Sequence, residues 1–308
     1  MTADSGLDRP TATAAPAAPE RTPAPPSGQP SDAEAHGRSR DPAVPQASDL
    51  VTEPPNYPKP KLRLEVRDLT HEGASIFFSR VNVAGVMEMA VGNVQRLLYG
   101  RSARYADPAT HCPPTRSVTL ILRDMDGVAY TTGSELDSDH KEIHFSLRYI
   151  ANVKPRGERV TAEIIGVLTH ELVHCYQWNG RGTCPGGLIE GIADWVRLQC
   201  ALSPPHWKRD PAAVGRWDGG YQHTAYFLDY LERRFGEGTV RRINEKLRLD
   251  HYDGATFWPS LLGHSVDQLW EDYVDAVKNE RPEASQVGDA TRGLLLRTFP
   301  QDTTSASN

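Results

Sequence analysis

A chain of 308 residues with 34 basic and 40 acidic side chains has a formal charge of −6, mixed in sign along its length, and so lacks the cationic footprint of a nucleic-acid binder. No apolar run approaches the roughly 18 residues of a membrane span. Four cysteines (Cys112, Cys175, Cys184, Cys200) are too few for a disulfide scaffold and show no CxxC spacing, although pairing of Cys184 with Cys175 or Cys200 stays open.

Of the 24 prolines, 13 fall within the first 60 residues, among Ala, Ser, Thr and Gly. Such a segment buries too little apolar surface to offset its ordering entropy, so residues 1–60 are expected to be a disordered Pro/Ala-rich tail. The opening Met1-Thr2-Ala3-Asp4-Ser5 has neither a basic start nor an apolar stretch, which makes cytoplasmic residence the default expectation. Residues 281–308 are expected to form a loosely ordered tail. The stretch between, 61–280, is long enough for one domain with a substantial core, expected to be monomeric.

Within that domain Lys61 to Val66 alternates and predicts an opening strand. From Val81 to Tyr99 apolar residues recur at helical spacing, and Gly100 supplies a stop. Val118 to Leu122 predicts a strand that Asp126-Gly127 turns toward Val128-Ala129-Tyr130, and Glu142 to Tyr149 alternates as a further strand. On that strand His144 lies opposite Ile143 and Phe145, as a surface residue. Arg159 to Trp178 carries a helical apolar stripe, Asn179-Gly180 ends it, and Leu188 to Leu202 predicts the next helix. Further helices are predicted at 221–235, 237–248 and 265–278, with Arg233-Arg234 and Arg241-Arg242 as solvated faces. Strands first and helices last is an α+β pattern: a small mixed sheet packed on the helix 159–178, followed by a mainly helical C-terminal half.

That helix contains His170-Glu171-Leu172-Val173-His174. Two histidines four residues apart on a helix point the same way, so both imidazoles can reach one ion. Glu171, at the edge of that face, can take a proton from a water on the metal. A catalytic zinc needs a third protein ligand, and the next helix offers Glu190 and Asp194 four residues apart in an otherwise apolar segment. Either Glu190 is the ligand and Asp194 accepts a hydrogen bond from the far nitrogen of a zinc histidine, or the roles are exchanged. Gly191 and Ala193 lack bulk and would let the two helices approach closely. Cys175 lies about 100° round the helix from His174 and belongs to the core.

The run from His170 to Gly180, followed by Pro185-Gly186-Gly187-Leu188-Ile189-Glu190-Gly191-Ile192-Ala193-Asp194-Trp195-Val196-Arg197, closely resembles the basic secretory protein family, also described as peptidases of plants and bacteria. Met125 to Tyr130, Trp217 to Tyr221 and Thr224 to Tyr230 extend the resemblance over about 62–280. It implies a zincin-like metallopeptidase, in a family with many secreted members associated with plant defence, so secretion stays open. Glu190 and Asp194 are also similar to the ExxxD helix of thermolysin-like zincins, which implies that the glutamate binds zinc and the aspartate orients a histidine. The metzincin pattern fits less well, because Gln177 stands where that pattern has glycine.

Water addition to a carbonyl also needs a group that stabilises the oxyanion. Tyr221 is chosen on the resemblance, with His223 as the other candidate, because Trp217 to Tyr226 can return over the cleft. The 142–149 strand is expected to offer an edge to an extended substrate. The resulting expectation is a Zn2+-dependent peptidase acting on peptide or protein substrates, with His170, His174 and Glu190 as ligands, Asp194 behind a histidine, and Glu171 and Tyr221 as catalytic residues. The alternative is a non-catalytic, zinc-stabilised module of the same fold that binds peptides or a cell-wall partner.

Overall fold

The computed structural model describes residues 57–100, 110–154 and 157–280. The expected tail at 281–308, and that at 1–60 except for residues 57–60, lie outside the described residues.

Four strands, β1 (Lys61–Val66), β2 (Ser117–Arg123), β3 (Ala129–Gly133) and β4 (His140–Ser146), form one mixed sheet in the order β1-β2-β4-β3. β1 and β2, and β2 and β4, are parallel, whereas β3 runs antiparallel to β4. Leu120, Leu122, Ile143 and Phe145 are fully buried in the two central strands. The parallel β1–β2 step needs a crossover, supplied by α1 (Glu72–Arg80) and α2 (Val83–Tyr99). Gly127, with φ +80°, turns the chain from β2 into β3.

This order corrects one expectation. β4 is paired on both sides, so it cannot offer an edge; among the described residues the strand next to the site that pairs on one side alone is β3. A second correction follows from it. His144, expected at the surface, is 7% exposed, stacks on Tyr130 at 4.5 Å and lies 3.3 Å from Glu142.

The alternation that predicted a strand to Tyr149 stops at Ser146. The Ser146 hydroxyl accepts from the Tyr149 amide and caps a short helix, α3 (Leu147–Asn152), in which Leu147 and Ile150 are buried. α1 was also unpredicted; it begins where the His71 imidazole accepts from the Gly73 amide.

The helical half contains α4 (Glu158–His174), α5 (Gly186–Gln199), α6 (Tyr221–Phe235), α7 (Thr239–Leu249), α8 (Gly254–Leu262) and α9 (Val266–Asn279). α4 packs against α2, α5 and the β3 edge, burying Ile164, Leu168 and Leu172. α8 carries Pro259 in its interior, which hides it from pattern reading. It buries Phe257 and Trp258, and Trp258 meets Phe227 of α6 with 6.3 Å between ring centres. Arg241, expected on a solvated face, is 5% exposed. Among the described residues no single helix is long and apolar enough to cross a membrane.

Candidate metal centre

α4 ends at His174, the second histidine of its motif, with Cys175 as the C-cap. Both imidazoles therefore sit in the last turn and a half of a buried helix, facing a cleft of about 990 Å³. The floor and walls of that cleft bring together His170, Glu171, His174, Glu190, Asp194 and Tyr221, every site residue expected from the sequence. Val128, Ala129, Tyr130 and Thr131, from β3 and the residue before it, form one rim.

The ligand atoms of His170, His174 and Glu190 all lie within 4.8 Å of one another. His170 Nε2 is 3.1 Å from His174 Nε2 and 3.1 Å from Glu190 Oε2, and His174 Nε2 is 3.7 Å from the same oxygen. Tetrahedral zinc with bonds of about 2.0–2.1 Å separates its ligand atoms by roughly 3.3 Å, so this triangle has the size that such an ion requires. Asp194 is not a member of the triangle. It stands behind His170, with Oδ1 2.7 Å from Nδ1.

The tautomers give the stronger test of fit. His170 Nδ1 donates to Asp194, and His174 Nδ1 donates to Gln177 Oε1 at 2.9 Å. With both Nδ1 atoms acting as donors, the two neutral rings are left with Nε2 lone pairs aimed at each other and at a carboxylate oxygen. A proton relieves one of these repulsions, whereas a cation among the three atoms relieves all of them. Burial opposes charge on His170, yet its hydrogen bonds to Asp194 and Glu190 outweigh it and raise the imidazole from its ordinary 6.5 to about 9. Against the effect of burial, the same histidine contacts hold Glu190 down at about 2.

A testable pH dependence follows. A metal at Nε2 has to displace the proton held there, so zinc affinity is expected to climb roughly tenfold per pH unit and to flatten near pH 9. The metal-free protein should behave in the opposite sense. The raised His170 value stabilises its folded state fully below the unfolded imidazole's 6.5, and that contribution is lost as pH rises through 9. Competition against a chelating dye from pH 6 to 10 (about four units) measures the first effect; an affinity independent of pH below 9 sinks it.

Gln177 is a site residue absent from the expectations drawn from sequence. Its Nε2 donates to the Ile189 carbonyl at 3.0 Å, which fixes the amide so that Oε1 faces His174 and ties the end of α4 to α5. Thr131 is another. From the β3 edge its hydroxyl reaches Glu171 Oε2 at 2.7 Å, holding a carboxylate that is 5% exposed. A carboxamide three residues after the second histidine is a signal for the first; nothing in the sequence marks the second.

Tyr221 reaches the centre through packing of the loop before it. A Cβ on Gly191 would stand 2.2 Å from Thr224, so glycine there brings α5 onto α6, not onto α4 as expected. Thr224 Oγ1 accepts from Gly220 N and donates to Trp217 O, closing the 217–220 loop over Glu190. Tyr221 then opens α6 at φ +46°, a left-handed conformation rare for a side chain of this size. Its ring stacks 6.2 Å from that of His170, 12° from parallel. It is 58% exposed. The negative charge of Glu190, then burial, Asp194 and Glu171, raise the phenol above its ordinary value, keeping it a hydrogen-bond donor. His223 lines the same cleft. Cys175 is buried in the core, as expected, and all four cysteines are free.

A His/His/Glu cluster, with His170 buried and His174 and Glu190 half-buried, in a cleft of an α+β chain defines a candidate metal centre. The chain belongs to the family described as peptidases of plants and bacteria, which it matches over residues 59–273. No curated protein and no solved structure gives a significant match to it.

Proposed function

We propose that the protein is a zinc-dependent peptidase of zincin-like fold, with its catalytic unit spanning 61–280. The observation that carries this reading is the meeting of two histidine Nε2 atoms and one Glu190 oxygen beside Glu171, in the cleft of a chain from a peptidase family.

Zinc bound by His170, His174 and Glu190 would supply Lewis-acid polarisation of a water and of the scissile carbonyl. Asp194 and Gln177 hold the two imidazoles with their Nε2 lone pairs toward the ion. Glu171, steadied by Thr131, takes a proton from the attacking water and passes it to the leaving amine. The Tyr221 hydroxyl donates to the oxyanion as it forms, a role favoured by its protonated state and by its place over His170. An extended substrate adds to the free side of β3, with its backbone paired to the strand that carries Thr131.

The test uses an unfolded protein such as casein as substrate. Cleavage is expected to vanish when zinc is stripped by a chelator and to return when zinc is restored. Cleavage that persists through chelation rejects the metal mechanism. Binding of peptides by the zinc-loaded protein without cleavage favours the non-catalytic module instead.

A further inference from the structure

β3 has two faces, and the candidate metal centre uses one of them. Thr131 turns toward Glu171, and its cross-strand partner Ile143 is fully buried on that same face. Side chains alternate along a strand, so Tyr130 lies on the opposite, outer face. Its partner in the register is His144, which is paired in turn with Ile121 of β2. Ile121, His144 and Tyr130 thus form one row across the outer face of the sheet. Ile121 and His144 are buried, whereas Tyr130, where the row stops, is 46% exposed.

The rings of Tyr130 and His144 lie 9° from parallel with their centres 4.5 Å apart. That separation is close to the spacing of about 4.7–4.9 Å between neighbouring strands, so the rings stack along the row. Glu142 Oε2, 3.3 Å from His144 Nε2, steadies the imidazole. The imidazole covers one face of the phenol ring. The other face looks past β3, where no strand pairs among the described residues. Val128, two residues back on the same face, adds exposed apolar surface beside it, and both residues line the rim of the cleft.

The backbone of β3 is set for the same extension. Ser146 N donates to the Val128 carbonyl at 2.9 Å, and Ser134 N donates to the His140 carbonyl at 2.8 Å. Residues of an antiparallel strand bond to a given neighbour alternately, so the even-numbered residues from 128 to 134 face β4. The amides and carbonyls of Ala129, Thr131 and Gly133 then point to the unpaired side. A strand bonded to Thr131 runs beside the residue that steadies Glu171. The residue of that strand opposite Tyr130 presents its side chain to the open face of the ring.

A flat ring is the side chain that continues this stack. Aromatic pairs gain attraction beyond their burial when they lie parallel and offset, and His144 already holds Tyr130 in the orientation that this needs. Leucine buries area there without that gain. An arginine also stacks on a phenol, but its hydration competes with contact to Val128, which a ring covers without that cost.

We propose that the outer face of β3 at Tyr130 is a specificity subsite for an aromatic side chain of the substrate strand, with Tyr130 as the specificity-determining residue. This deepens the peptidase reading and rests on it, and on strand addition at β3, for the position of the substrate.

The test is a binding series on the full chain loaded with zinc. Peptide hydroxamates chelate the metal and carry three alanines on one side or the other of the chelating group. A single phenylalanine is walked through these positions and then replaced by leucine or arginine. At one position phenylalanine is expected to bind about three- to tenfold more tightly than leucine or arginine, the gain of a stacked aromatic pair beyond its burial. Tyr130→Leu, which keeps apolar cover over His144 but removes the ring, should bring the three compounds to within about twofold there. The alanine parent and the neighbouring positions, whose side chains turn inward, should bind as before. Tyr130→Phe should retain the preference. The subsite is overturned if no aromatic preference depends on Tyr130, if leucine or arginine is favoured at that position, if Tyr130→Phe loses the preference, or if no compound binds. Casein cleavage by the same preparation reports separately on the peptidase reading. Selective binding without cleavage rejects that reading and retains the subsite; cleavage without selective binding does the reverse.

Discussion

Replacing Glu171 with glutamine is expected to lower peptide hydrolysis by roughly two to four orders of magnitude, the usual contribution of a positioned general base, while zinc content stays unchanged. The carboxylate lies outside the His170, His174 and Glu190 group, so its loss removes no donor from the metal. Glutamine keeps the shape and keeps an oxygen able to accept from Thr131, whose hydroxyl lies 2.7 Å from Oε2 and 3.0 Å from the Glu171 carbonyl. What changes is the capacity to accept a proton. Metal analysis, a thermal melt and kcat/KM on one peptide suffice to check this. Hydrolysis within tenfold of the parent (about 1.4 kcal/mol of barrier) would remove Glu171 from the mechanism, and loss of zinc would make it a ligand.

The parts of the site legible in the sequence were those fixed by helical geometry. His170 and His174 at i and i+4, and Glu190 and Asp194 at i and i+4, needed only a period of 3.6 to be placed on one face each. The meeting of the two helices had to be inferred from the apolar setting of the carboxylates, and the structure does bring them together. Gln177 and Thr131 escaped because their roles depend on where chains cross. Gln177 is oriented by the Ile189 carbonyl of another helix, and Thr131 by strand order. Strand order is also why alternation points to 142–149 as the substrate edge although β4 is paired on both sides: alternation reports a strand's faces, not its neighbours. Ser146 shows the same limit at short range. Apolar residues at 143, 145 and 147 continue the two-residue period through the point where the serine cap converts strand to helix.

The two carboxylates of α5 should separate cleanly when each is replaced by alanine. Glu190→Ala is expected to abolish stoichiometric zinc binding, whereas Asp194→Ala should retain the ion with affinity weakened by about 10–100-fold, the usual effect of losing a partner behind a ligand. Glu190 Oε2 faces both Nε2 atoms, at 3.1 and 3.7 Å, so removing it leaves two nitrogens to hold the ion. Asp194 meets His170 on the far side of the ring, at Nδ1, and is 3% exposed. Without it the imidazole proton is free to move from Nδ1 to Nε2, where it competes directly with the metal. Asp194 also helps to raise His170, so its loss lets a proton compete less at low pH, and the weakening in Asp194→Ala should be smallest at low pH and grow as pH rises toward 9. Zinc titrations of both variants at two pH values decide between the roles. If Asp194→Ala loses the ion and Glu190→Ala keeps it, the assignments exchange. If both lose it equally at every pH, the carboxylates share the ion, and the triangle at His170, His174 and Glu190 is not the complete donor set.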